Sequence, residues 1–486
     1  MPGPKWLLPL LLVLCLATRI WFIVVLPWCA EDAYITFRYA QNWAHGLGPV
    51  YNAGEKAWGF TSALWTSYLA LTSVGRLPIE AAARWTLVVA DLAALALGFR
   101  LLARRSLLAA AGLGAFFALW PRLAQMPASG LESSLVLALL LASATFAQSR
   151  AGGVLNGLLA LSRPEGAAMS VLLATRLSMR QRLIWIGVAA LQGGFALWFG
   201  QWLPSSVSSK ATVYGVQTRG PGWLEWLLPG WTPQTQDGLA LAPVAILFLI
   251  GLVAVIARWR KPEEVKDDAP LPLLFACGLL TIFAYMMLGV PWYYWYAPAP
   301  MVAILLAVFL GLATSGVLRW AAGPLVLFLA LSWGTVAPRA ARFQIHDAEV
   351  FAGIGHTLHE DAKDRVPGGP TAVSVMLEPI GIIGWFSGMR VIDEVGLVTP
   401  WVAGERTKGD GWYARVIERT RPDYIVYRQF WLDGEVAWAG IGAPFSSQAQ
   451  QDSTMADYEV VRRRAGGPGG ALPSGAGRLL ILRRKS

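Results

Sequence analysis

Two adjacent carboxylates, Glu31 and Asp32, open the segment Glu31-Asp32-Ala33-Tyr34-Ile35-Thr36-Phe37-Arg38-Tyr39-Ala40, which directly follows an apolar run ending at Trp28. A carboxylate at such a boundary is partly desolvated and can act as a general base toward a hydroxyl. Arg38 can grip a phosphate through paired hydrogen bonds. The plainer alternative is a boundary charge pair followed by aromatic rings settled at headgroup level. Asp32 is the favoured base, with Glu31 in support. Farther along, Glu132 can hold a sugar donor or help bind a divalent cation, or simply sit well at a helix N-terminus. Arg163 and Lys210 are further candidates for a phosphate, where cations would stabilise charge developing on a leaving group. Arg163 and Glu165 could instead pair to close a short hairpin. Tyr293 and Tyr294 can stack on a sugar or belong to an aromatic belt. Tyr34 is a further aromatic candidate for sugar contact, and His45 is a second possible base or a loop residue among glycines. Asp393 reads as a structural loop residue.

The elements that must position these groups are membrane helices. The 486-residue chain is 55% hydrophobic and 14% charged, with 24 Trp, which is too apolar for a soluble protein of this size. The net charge of +10 does not make a nucleic-acid groove, because most Arg and Lys fall in short clusters between apolar stretches. No P-loop or dinucleotide glycine fingerprint is present. Three cysteines, Cys15, Cys29 and Cys277, all lie in apolar stretches and say little about redox compartment. The apolar run from Trp6 to Trp28 is too long for a typical signal peptide and is expected to stay as a first span.

A span needs about 20 apolar residues in a helix. Candidates are 6–28, 80–102, 107–120, 132–148, 151–161, 166–177, 183–200, 240–258, 271–289, 298–318 and 321–337. Reading 151–161 and 166–177 as a hairpin puts Arg100/Arg104/Arg105, Arg150, Arg176/Arg180/Arg182 and Arg258/Arg260/Lys261 on the same side as Lys5, as the positive-inside bias requires. Fusing the pair would also bury Pro164 inside a helix and Arg163 and Glu165 in mid-bilayer. The expectation is therefore about eleven spans, N-terminus inside and C-terminus outside. The first external loop, 29–79, is long for a connector and so functional, with residues 60–75 as a juxtamembrane or re-entrant helix. Residues 1–338 form the helical domain and 339–486 a soluble one. Strand-like runs at Thr371–Leu377, Arg390–Ile392, Asp423–Tyr427, Tyr458–Arg462 and Arg478–Leu482, with a helix at Trp412–Arg421, predict a small α/β layer. Gly466–Gly477 reads as a loop.

The opening segment, continuing through Asn42, Gly46-Leu47-Gly48, Gly54-Glu55 and Gly59-Phe60-Thr61-Ser62-Ala63-Leu64-Trp65, resembles the start of C-type glycosyltransferases. It is most similar to the branch of terminal β-(1→2) arabinofuranosyltransferases of mycobacteria and their proteobacterial relatives. Downstream, Ser129-Gly130-Leu131-Glu132-Ser133, Leu161-Ser162-Arg163-Pro164-Glu165-Gly166, Leu203-Pro204-Ser205-Ser206 with Lys210, Pro291-Trp292-Tyr293-Tyr294-Trp295-Tyr296, and Val391-Ile392-Asp393 with Gly396-Leu397 resemble the family's later stretches, in its order. The sequence departs from the pattern at Glu31 (Asp in the family), at Trp58 (an acid) and at Ser205 (Asn).

The resemblance implies a helical membrane fold of the C-type class with a periplasmic α/β domain, in a bacterial inner membrane with a cytoplasmic N-terminus. It implies transfer of D-arabinofuranose from a polyprenyl-phosphate donor to a glycan, lipid or protein acceptor of the cell envelope, with Asp32 as the catalytic carboxylate. Partners would be that donor, the acceptor and membrane lipid, with no nucleic acid. No cofactor is required beyond a divalent cation (Mg, Mn or Ca) that Asp32 and Glu132 could hold. Competing readings are transfer of mannose or another hexose, transport of a lipid-linked sugar, and a non-catalytic membrane scaffold. Transport is disfavoured because the charged motifs lie at a boundary and no internal repeat is visible.

Overall fold

The computed structural model describes residues 4–214, 242–288, 293–428, 442–464 and 479–485. Twelve helices come first: α1 Leu7–Val25, α2 Glu31–Ala44, α3 Ala63–Val74, α4 Ile79–Ala103, α5 Leu107–Leu119, α6 Pro121–Ser129, α7 Ser133–Thr145, α8 Gly152–Ser162, α9 Pro164–Ala174, α10 Met179–Ala189, α11 Leu191–Phe199 and α12 Ser205–Tyr214. Apolar helices Ala242–Arg258, Leu271–Met287 and Pro298–Thr314 follow, then the 49-residue helix Val317–Arg365. That helix runs unbroken through residue 338 and carries the chain from the apolar body to a five-stranded sheet.

Every expected span falls on a helix, but the count of about eleven crossings is not supported. Among the described residues four helical stretches are long and apolar enough to cross a membrane: Leu7–Val25, Ile79–Ala103, Met179–Phe199 (α10 running into α11) and Val317–Arg365. A fifth is added if α5 and α6, bent by 55°, count as one. The reason is length. The chain breaks at Arg163-Pro164, which leaves α8 and α9 with 11 residues each, and α7 has 13. At ~1.5 Å per residue these reach roughly 16–20 Å, short of the ~30 Å hydrocarbon core. Segment 60–75 is a helix, α3, capped by the Ser62 side chain accepting from Trp65 N.

All five strand-like runs are strands: β1 Ser374–Leu377, β2 Arg390–Asp393, β3 Tyr424–Arg428, β4 Tyr458–Arg464 and β5 Leu479–Arg484. Their order is β2-β1-β3-β5-β4, with β1 parallel to β2 and β3, and β5 antiparallel to β3 and β4. The helix Trp412–Thr420 lies where the sequence put it, whereas Gly466–Gly477 lies outside the described residues.

The sheet is fastened to the segment 29–79. Asn52 donates to Val391 O at 2.8 Å and accepts from Val391 N at 3.0 Å, so one side-chain amide pairs with the edge of β2. Tyr51 Oη donates to Ile380 O at 2.6 Å. Gly381 lies so close to α2 that a Cβ there would overlap the Glu31 carbonyl oxygen. One apolar core runs from Tyr34, Trp58 and Phe60 into Val375, Val391 and Ile481, so loop and sheet fold as a unit.

Buried acids at the carboxyl ends of the parallel strands give this layer a pH signature. Glu394 is 1% exposed, accepts from the Tyr413 hydroxyl at 3.0 Å and lies 3.6 Å from Arg428. Burial pushes its pKa up to about 7 despite Arg428, and burial raises Asp393 to about 6. An acid whose pKa is higher in the fold favours the fold fully below its unfolded value and loses that contribution as pH rises through the folded one. Asp361 is shifted the other way, since its Tyr424 and Arg483 hydrogen bonds outweigh burial, and it titrates below this window. Thermal unfolding of the protein is expected at lower temperature at pH 8 than at pH 5. A melting temperature that rises over that interval would contradict the assignment.

Candidate functional site

The two carboxylates head α2 as its first two residues, with Ala30 N donating to Ser129 O at 2.8 Å. That bond, and Trp65 Nε1 donating to Gly130 O at 3.2 Å, tie the Ser129–Glu132 turn to the start of α2. Gly130 makes the turn with φ 76°, and a Cβ there would press on Cys29 and Phe37. Glu132 follows as the residue capping α7, and Ser133 Oγ donates to Trp295 O at 2.5 Å, pinning the Tyr294–Tyr296 turn beside it. Lys210 comes from α12, which is held on both sides: Ser205 N donates to Trp58 O at 2.8 Å and Ser209 Oγ to Gly396 O at 2.9 Å. Two of the three positions that depart from the pattern of the resemblance, Trp58 and Ser205, thus touch one another. Both position α12.

These elements converge on one cluster. Lys210 Nζ donates to Asp32 Oδ2 at 3.4 Å, with side chains 20% and 28% exposed, so the pair is half-sheltered and reachable. Lys210 also stands 5.4 Å from the centre of the Tyr293 ring. Burial disfavours its ammonium, yet the adjacent Asp32 carboxylate prevails and its pKa lies above the ordinary lysine value. Glu31 differs sharply from its neighbour. Burial first, then the charge and hydrogen bond of Asp32, raise its pKa well above the ordinary glutamate value. Like charges on adjacent, partly desolvated carboxylates disfavour one another, so the proton is held more tightly on Glu31 than on an ordinary glutamate. Its Oε1 accepts from Gly381 N of the soluble layer.

Arg163 sits between two acids, 3.2 Å from Glu132 and 2.5 Å from Glu165, with its guanidinium 4.7 Å from the Tyr296 ring centre. All three side chains are nearly buried. The Tyr293 and Tyr296 rings, with centres 5.7 Å apart, join the Lys210 pair to the Arg163 group, so acids, cations and rings adjoin one another. Glu132 and Arg163 lie at the tips of the short helices α7, α8 and α9. If those helices start at one membrane face, the tips end roughly 10–14 Å below the other.

Three sequence-based assignments are corrected. Arg38 is not aimed into the cluster: Nε donates to Tyr51 O at 2.9 Å, Nη1 to Gly384 O at 2.7 Å, and Nη2 to Met389 O at 2.6 Å, with the guanidinium over the Tyr51 ring. With donors on three backbone carbonyls, it clasps the loop to the sheet layer. Tyr34 is fully buried, donates to Glu80 Oε1 at 3.0 Å and packs on Phe37, Trp385 and Phe386, so it offers no face to a sugar. His45 is an exposed residue closing α2, with its role there made by backbone bonds to Gln41 and Trp43. Asp393 accepts from Val395 N and Val398 N, shaping the loop after β2 as expected.

The sequence reasoning missed Arg122, in the first turn of α6, whose guanidinium lies 5.9 Å from the Tyr294 ring centre. Its signal was an arginine apart from the clusters that the positive-inside bias groups with Lys5. It also missed Tyr296, and Tyr285, which interacts with Glu165 from within an apolar helix.

Asp32 and Glu132 fit a divalent cation poorly as they stand, because each already faces a cation of the protein, Lys210 and Arg163. Among the described residues no group of three or more His, Cys, Asp or Glu side chains is placed to hold a metal ion. No step below is routed through one.

A family model described as a domain of unknown function, DUF8728, matches residues 341–476. No curated protein matches the chain in sequence. Among solved structures it is similar to the oligosaccharyltransferase of Archaeoglobus fulgidus. The form in complex with an inhibitory peptide and a dolichol-phosphate gives a TM-score of 0.49 at 11% identity, covering 87% of this chain and 69% of that one. The apo form gives 0.47 at 11% identity, over 87% and 70%. The form with Zn and sulfate gives 0.46 at 10% identity, over 95% and 72%. At such scores the likeness carries neither fold nor chemistry across. The family model lies almost wholly beyond the apolar helices, so the chemistry rests on the cluster around Asp32.

Proposed function

We propose that this chain is a membrane-embedded glycosyltransferase that moves a sugar, D-arabinofuranose in the first instance, from a polyprenyl-phosphate donor to a cell-envelope acceptor. The residue pattern that begins at Glu31-Asp32 supports the sugar and the donor, and the Asp32–Lys210 pair carries the chemistry. The acceptor hydroxyl approaches Asp32, which takes its proton as the oxygen forms a bond to the anomeric carbon. The bond from that carbon to the phosphate oxygen breaks, and polyprenyl phosphate leaves with the electron pair. Lys210 stands at the base and can turn to the departing phosphate, where a fixed positive charge stabilises the developing anion. Arg122 adds a second cation on the far side of Tyr294. Arg163, bracketed by Glu132 and Glu165, holds Glu132 in place to accept from a sugar hydroxyl. The proton held tightly on Glu31 keeps the negative charge on its neighbour.

Short helices support placing this cluster below the membrane surface, where a lipid-borne phosphate can reach it and the acceptor can come from the aqueous side. The test is transfer by purified full-length protein in detergent or nanodiscs, given polyprenyl-phosphate arabinose or polyprenyl-phosphate mannose with a panel of glycan acceptors. Product from the arabinose donor is expected. Product from mannose alone would replace the sugar, and product from neither with any acceptor would remove the transferase reading.

A further inference from the structure

At the same end of the helical body as Asp32, but on the opposite face of α2, lies a pocket of about 410 Å³ lined by Ile23, Pro78, Ile79, Glu80, Arg84 and Trp85. Asp32 and Tyr34 are two residues apart on a helix, so they point to nearly opposite sides at ~100° per residue. Asp32 faces the cluster, and Tyr34 reaches back to Glu80 of this pocket. Arg84 is 8% exposed, donates from Nη1 to Leu26 O at 2.9 Å and lies 3.3 Å by Nε from Cys29 Sγ. Its Nη2 is buried with no hydrogen-bond partner. A buried guanidinium nitrogen with no acceptor is costly, and it marks a place for an anionic oxygen.

The pocket's chemistry is two-signed. Arg84 and Glu80 are one helical turn apart on α4, and the mouth is apolar, with Trp85 half exposed at 50% and Ile23 on the neighbouring α1. Leu71, Val74 and Leu77, just before Pro78 in the chain, are exposed apolar residues. An indole beside a charged pocket at the end of a membrane helix is the setting of a lipid headgroup. We propose that this pocket seats a zwitterionic phospholipid of the phosphoethanolamine class, with its phosphate on Arg84, its ammonium on Glu80 and its acyl chains along Ile23 and Trp85. The bound lipid buttresses α2 from behind, through Tyr34, whatever reaction the Asp32 cluster performs. It is a second lipid, distinct from any donor, because it lies on the face of α2 away from Asp32 and Lys210.

The test reads binding, not turnover. Purified full-length protein in detergent is unfolded thermally with dioleoyl phosphatidylethanolamine, with dioleoyl phosphatidylglycerol, or with soluble phosphoethanolamine. Phosphatidylethanolamine is expected to raise the melting temperature by about 3 °C more than phosphatidylglycerol. Glu80→Gln keeps an acceptor for Tyr34 but removes the charge, and is expected to abolish that preference. Trp85→Ala, at a half-exposed position, is expected to weaken the shift by both lipids without unfolding the protein. Three results would each overturn the proposal: equal shifts by the two lipids in the wild type, an undiminished preference in Glu80→Gln, or a full shift from soluble phosphoethanolamine. Should Glu80→Gln not fold, an unchanged shift in Trp85→Ala would do the same.

Discussion

Replacing Asp32 by Asn lowers transfer by about 10³-fold, within the ~10²–10⁴ range of a positioned general base. The fold and the donor affinity stay close to wild type, because Asn can still accept from Lys210 and the side chain is 28% exposed. The neighbouring acid gives the internal control. Glu31 is half-buried, with its pKa raised well above the ordinary value by burial and the Asp32 charge; Glu31→Gln retains an acceptor for Gly381 N and alters the charge of the site less than Asp32→Asn does. Its rate is expected within about 10-fold of wild type, the scale of roughly 1.4 kcal/mol in a barrier. Lys210→Met should weaken donor binding as well as turnover, since it removes the cation that faces both the base and the leaving group. Single-turnover rates with saturating donor separate these cases. If Glu31→Gln were as damaging as Asp32→Asn, or if Asp32→Asn turned over normally, the base would not be Asp32.

Much of this site could be read from residue types because its parts sit at helix ends. Asp32, Glu132, Arg163, Glu165, Lys210, Tyr293 and Tyr294 were each singled out as charge or aromatic face beside an apolar run, and all meet in one space. What a sequence does not carry is which way such a side chain turns. Arg38 and Tyr34 stand in the same helix as Asp32, yet one clasps backbone carbonyls of the soluble layer and the other is sealed against Glu80. The partners of Arg38 on that layer are more than three hundred residues away in the chain, and no local pattern announces them. Strands were legible because alternating and continuous apolar runs between turn residues have few other uses. The number of crossings was not, since hydropathy measures whether a segment prefers lipid but not whether a Pro-broken helix of 11 residues reaches both sides.

The largest structural effect is expected at Arg19, which the charge reading passed over because the residue lies inside the first apolar run. Arg19 is fully buried in α1 and pairs with Asp91 of α4, Nε to Oδ2 at 2.9 Å. Its remaining donors explain why a membrane helix carries it. Nη2 donates to Phe117 O and Nη1 to Ala118 O, each at 3.0 Å, where α5 bends by 55° into α6. Pro121 has no N–H to give Phe117 O, and the bend parts Ala118 O from its own helical donor. Trp333 Nε1 takes the next carbonyl, Leu119 O, at 2.6 Å. Without water, each such carbonyl must find a donor inside the protein. The bend in turn sets the first turn of α6, with Arg122, against Tyr294 of the site. Arg19→Ala is therefore expected to destabilise the protein by about 3–5 kcal/mol, the range for breaking a buried pair, and to lower the yield of folded protein accordingly. Arg19→Met with Asp91→Leu removes the stranded charge but leaves Phe117 O without its donor and Ala118 O with only the Thr18 hydroxyl, so it should recover part of the loss and no more. Thermal unfolding of the single and double variants in one detergent decides the matter. Full recovery in the double variant would mean that the pair only balances charge and that the bend holds without Arg19.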